Sequence, residues 1–98
     1  MELIVVERIF ERPITDQEVI EAVRRASPCL ALRRIKRVQT ILSKDRLRSV
    51  CLYEAPDASV VRDVHDQERM PYVKIWSGDA FDLSLLEADT SQKPATPE

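Results

Sequence analysis

The chain has 98 residues, room for one modest hydrophobic core and too few for two. Its 44% hydrophobic and 33% charged residues are typical of a soluble globular domain, and no apolar run approaches the roughly 20 residues that cross a bilayer. The net charge of −2 conceals a basic middle and an acidic end.

The opening Met1 to Val6 is apolar but turns charged at Glu7 and Arg8, which argues against a signal peptide. Glu2 to Phe10 reads as a strand rich in β-branched residues. Leu3, Val5 and Ile9 lie on one face and Ile4, Val6 and Phe10 on the other, so the strand is expected at the centre of a covered sheet. After Pro13, Thr15-Asp16-Gln17-Glu18 is a capping box, and Val19, Ile20, Val23 and Ala26 follow at helical spacing. Ser27-Pro28 predicts a kink or a short second helix over Cys29 to Arg34. Ile35 to Ser43 alternates as an exposed strand, Lys44-Asp45-Arg46 turns tightly, and Leu47 to Glu54 pairs back as a hairpin. Asp57 or Ser59 caps a helix whose inward stripe is Val60, Val61, Val64 and His65. Met70-Pro71 stops it, and Tyr72 to Trp76 forms a last strand. One domain over 1–81 is expected, followed by an acidic tail over 82–98, disordered from Thr90 by composition.

Strand, helix, strand, strand, helix, strand is the β-α-β-β-α-β order of a ferredoxin-like α+β fold with a four-stranded antiparallel sheet. Right-handed crossovers place both helices on one face. Tyr53, Cys51, Trp76 and Glu7 are expected on the other face, too apolar to stay wet, and a homodimer of the dimeric α+β barrel type would bury it.

Val6-Glu7-Arg8-Ile9-Phe10, Thr15-Asp16-Gln17-Glu18, Cys51-Leu52-Tyr53-Glu54-Ala55-Pro56, Val61-Arg62-Asp63-Val64-His65 and Met70-Pro71 occur in that order. Together they resemble a bacterial family of small ferredoxin-like domains of unknown function that includes a dimeric nickel-binding protein. The resemblance runs from Met1 to about Trp76. It implies a ferredoxin-like dimer with a site near the interface for nickel or another divalent transition metal. His65 matches the family's histidine on the second helix, and Glu7 falls where other members have a polar or metal-capable side chain. The chain departs from the pattern at Met70, where a second histidine can occur before the proline, and His65 is its sole histidine.

Borderline metal ions favour imidazole supplemented by further nitrogen, sulfur or carboxylate donors, and one histidine needs Glu7, Glu54, Asp66 or Cys51 beside it. A histidine hydrogen-bonded at the core margin accounts for the same residue. Glu7, Tyr53, Glu54 and His65 are the polar residues expected to contact a small ligand. An enzyme of the dimeric barrel kind would use the same four, although Tyr53 and Glu54 are adjacent in a strand and point oppositely. The chain carries no nucleophile–base motif and no glycine-rich phosphate loop. Nine basic residues between Arg24 and Arg48 face a single acid, Asp45, and offer an interaction module for an acidic partner. Nucleic acid is a weaker expectation, because Tyr53 is the only aromatic in the third strand and basic side chains on an exposed edge strand explain the same residues. Cys29 and Cys51 read as reduced, packed thiols. A cytoplasmic homodimeric binding protein is the leading expectation.

Overall fold

The computed structural model of the chain describes residues 1–88. β1 (Glu2–Ile9), β2 (Lys36–Leu42), β3 (Arg48–Ala55) and β4 (Lys74–Gly78) form one antiparallel sheet in the order β2-β3-β1-β4. Two longer helices, α1 (Asp16–Leu32) and α2 (Ala58–Gln67), cover one face, and a short α3 (Ser84–Ala88) follows the last strand. The expected disorder from Thr90 lies outside the described residues. The tail segment that precedes it begins with α3. No helix among the described residues is long and apolar enough to cross a membrane.

β1 hydrogen-bonds to strands on both sides, the place its two apolar faces suit. Ile4 pairs with Tyr53 and Val6 with Cys51, and this row is buried under α2 with Val61 and Val64. Ala26 and Leu30 of α1 join the same core. Tyr53 and Cys51 therefore face the helices, not the uncovered side where they were expected. Both phases of β3 are apolar, so alternation alone cannot tell inward from outward; the register with Ile4 and Val6 decides it.

The uncovered face carries the opposite phase. One row across the sheet reads Gln39, Leu52, Val5, Trp76, and the next reads Ile41, Val50, Glu7, Lys74. A β-bulge between Arg37 and Gln39 reverses the phase of β2. Arg37 thereby shares the covered face with Thr40 and Leu42, opposite Tyr53, Cys51 and Ser49.

The capping box of α1 forms as its sequence predicts: Glu18 N–H donates to Thr15 Oγ1, and Thr15 N–H donates to Glu18 Oε1. The helix runs unbroken through Pro28 to Leu32. The proline removes one donor at a solvent-facing position, and both Pro28 and Arg24, whose carbonyl loses its partner, are exposed residues. Asp57 caps α2 by accepting from Val60 N–H.

Both helices end in a left-handed residue, and in both it is arginine: Arg34 at φ 60° and Arg69 at φ 55°. Ile35 N–H reaches Leu30 O while Arg34 N–H reaches Ala31 O; Met70 N–H reaches His65 O while Arg69 N–H reaches Asp66 O. This is the Schellman bond pattern, which favours glycine because a Cβ crowds the backbone there. Arg69→Gly is expected to raise stability by about 1 kcal/mol, since Arg69 donates no side-chain hydrogen bond among the described residues. Urea unfolding of the variant beside the parent measures it; an unchanged midpoint refutes the strain.

Candidate functional site

The polar centre of the covered face is built around Arg8. Its position on β1 shares a phase with Ile4 and Val6, so its side chain enters the layer between sheet and helices. Nε donates to Pro71 O at 2.9 Å, Nη1 to Cys51 Sγ at 2.9 Å and Nη2 to His65 Nε2 at 2.6 Å. Every acceptor is uncharged.

His65 lies one helical turn after Val61 on the buried stripe of α2 and is 0% exposed. Its ring stands edge-on to Tyr53 and Tyr72, each with centroids 5.8 Å away. A guanidinium can only donate, so Nε2 must present a lone pair and the ring proton must sit on Nδ1. That proton is donated to Val61 O at 2.8 Å. The surroundings fix a neutral tautomer with both nitrogens engaged. Burial drives the pKa down to about 4; the positive charges of Arg8 and Arg37 add to the shift, against the Val61 carbonyl and Asp66.

Tyr53 is likewise 0% exposed. Its hydroxyl accepts from Arg37 Nη2 at 3.2 Å, and the guanidinium carbon lies 5.4 Å from the ring centroid. Cys51 is buried, with Thr40 Oγ1 at 3.4 Å as a further partner of its sulfur. Half-buried Cys29 donates to Glu68 Oε2 at 3.0 Å, and that carboxylate pushes the thiol pKa up.

Glu7 and Glu54 are elsewhere. The register sets both on the uncovered face. Trp76 Nε1 donates to Glu7 Oε2 at 2.8 Å, and Glu54 stands directly across from Lys36. The sheet thus separates the four expected ligand contacts into Tyr53 and His65 on one side, Glu7 and Glu54 on the other. They do not line one pocket. Sequence reading passed over Arg8 and Arg37 because arginines next to exposed residues look solvated. The signal that finds Arg8 is its phase, two residues beyond Val6 on the inward row.

A nickel ion requires an unprotonated imidazole nitrogen and companion donors. At His65 the lone pair of Nε2 is filled by Arg8, whose positive charge occupies the place a metal ion would take. Among the described residues no three His, Cys, Asp or Glu side chains gather closely enough to hold a metal ion. The residues of one chain therefore do not fit the ion at His65. Calorimetric nickel titration of tag-free protein should give the same heats for His65→Ala as for the parent; a saturable signal lost in the variant contradicts the geometry.

The neutral histidine also sets a pH dependence. Its folded pKa lies below its ordinary value of 6.5, so its stabilising contribution is complete above about pH 6.5 and is lost as pH falls toward 4. The loss is on the order of 3 kcal/mol across that window. Urea midpoints measured from pH 7 to pH 4 should fall for the parent and fall much less for His65→Gln, whose amide oxygen still accepts from Arg8.

A solved structure, that of SCO4226 from Streptomyces coelicolor A3(2), superposes with a TM-score of 0.72 at 16% identity, covering 82% of this chain and 99% of that one. That likeness shows the fold. No curated protein sequence matches. Residues 4–77 match the family described as nickel responsive protein SCO4226-like, and the chain belongs to that family.

Proposed function

We propose that the chain is a cytoplasmic, non-catalytic binding protein that works as a homodimer closed through the uncovered face of its sheet, serving a small ligand instead of a nickel ion at His65. The strand order β2-β3-β1-β4 supports reading the fold as ferredoxin-like, and pairing of two such sheets makes it a dimeric α+β barrel. Free thiols at Cys29 and Cys51 suit a reducing compartment.

The observation that carries the proposal is the uncovered face itself. Leu3, Val5, Ile9, Ile41, Val50, Leu52 and Trp76 share this face, Val5 buried at its centre and Ile9, Ile41 and Trp76 exposed. Trp76 is 46% exposed and Ile9 67% exposed, a large cost in water for a chain this size. The indole is held rather than loose. Glu7 fixes its N–H, and Gly78 leaves room for the ring, since a Cβ there would meet Trp76 at 3.1 Å. An oriented aromatic within an apolar patch, rimmed by Lys36, Glu54, Lys74 and Arg48, has the composition of a self-complementary interface. In such a pair both helix layers face outward, and each copy keeps its own covered-face site.

Sedimentation equilibrium should return twice the 11.3 kDa chain mass for the parent and the single mass for Leu52→Glu. Trp76 is the only tryptophan, so its emission should shift to the red on dilution of the parent and stay red in the variant. A monomeric parent at micromolar concentration refutes the pairing.

A further inference from the structure

Between α1 and the sheet lies a cleft of about 410 Å³, within the range of small-molecule sites. Its walls are apolar: Phe10, Ile14, Val19, Leu42 and Met70 all contribute. Its floor is cationic, with Arg8 from β1 and Arg37 from β2 both lining it from diagonal positions of the covered face, one on each side of β3, beside the hydroxyls of Thr40 and Ser49. The buried residues of α1 are Ala26 and Leu30 in its C-terminal half, so the N-terminal half bridges this space without filling it.

Neither guanidinium has a counter-ion among the described residues. Arg8 is bonded to a carbonyl, a sulfur and a neutral imidazole. Arg37 is bonded to the Tyr53 hydroxyl, while its Nε is shut off from solvent and has no hydrogen-bond partner among the described residues. The ion pairs among the described residues are Arg12–Glu18, Arg33–Asp63 and Arg46–Asp16, none of which involves either group. Two acids stand at the cleft wall and both are committed elsewhere. Glu18 is held by Arg12 at 2.7 Å and by the Thr15 cap, and Glu21 accepts from Gln17 at 3.3 Å. Cations set under a low-polarity roof call for an anion, and a buried donor without a partner calls for an acceptor. Guanidinium forks suit carboxylate geometry in particular. The apolar walls require that the anionic group sit on a hydrocarbon body.

We propose that this cleft binds a small organic carboxylate, its head on Arg37 and Arg8 and its apolar body against Phe10, Val19 and Leu42. The proposal deepens the small-ligand reading by naming the ligand class and placing it in each copy, on the face away from the pairing surface. Arg37 is the recognition residue, through the guanidinium N–H groups that Tyr53 does not engage. Arg8, already fixed by three acceptors, contributes charge.

Octanoate serves as the probe, titrated by calorimetry beside octanol and inorganic phosphate. Saturable binding of one octanoate per chain, at least tenfold tighter than octanol and than phosphate, is the expected result. Arg37→Gln should weaken octanoate tenfold or more and leave octanol unchanged, with far-UV circular dichroism confirming the fold. Ala22→Phe, which fills the cleft from α1 and leaves both arginines in place, should abolish binding and supplies the test should Arg37→Gln misfold. Octanol binding as tightly as octanoate would reduce the cleft to a nonspecific apolar crevice. Phosphate matching octanoate would remove the organic body from the ligand, and absence of saturable heat at millimolar octanoate would overturn the site. None of these outcomes alters the sedimentation mass, so failure of the cleft and failure of the pairing are read separately.

Discussion

The covered face depends on one half-buried cation, Arg8. Starting from β1, its guanidinium reaches β3 through Cys51, α2 through His65 and the loop after α2 through the Pro71 carbonyl. A charge removed from water without a partner is expensive, and three neutral acceptors offset part of that cost. The same bonds fix the helix against the sheet, because a fork with rigid geometry accepts only one arrangement of its partners. His65 is thereby defined: its tautomer, its neutrality and its inaccessibility all follow from having an arginine at Nε2. A family associated by description with nickel has here a histidine whose chemistry is structural.

The sheet then acts as a partition. On the covered side are cations, thiol, hydroxyls and an imidazole in a crowded layer; on the other is an apolar field with Glu7 and Trp76 fixed to each other. Phase along each strand assigns every side chain to one compartment, and no residue serves both. Tyr53 and Glu54, neighbours in sequence, end in different chemical settings for this reason alone.

Much of this was legible from the residues. The Thr15–Glu18 capping box, a cap at Asp57 (one of the two residues expected there), the stop before Pro71 and the inward stripe of Val61, Val64 and His65, with Val60 only partly buried beside it, are local signals that the structure carries out. The β1 strand announces its central place by being apolar in both phases. Three features escaped local reading. Pro28 does not break α1, because the bond it removes lies on the solvent side. The phase of β3 is ambiguous from sequence, since Cys51 and Tyr53 compete with Val50 and Leu52 on equal hydrophobic terms. The bulge at Val38 has no glycine or proline to mark it, and without it Arg37 would be counted with Gln39 and Ile41 on the wrong side. The candidate site was less legible than the fold because it rests on the two arginines, whose place on the covered face only the assembled register reveals.

That bulge has a bearing on how copies of the chain can meet. β2 is an edge strand, and a regular edge is a template for adding strands without limit. An extra residue between Arg37 and Gln39 interrupts the ladder midway and twists the edge, so an incoming strand finds no continuous run of donors and acceptors. Edge-to-edge growth yields open filaments; face-to-face pairing closes on itself. One inserted residue thus discourages open-ended growth from the β2 edge.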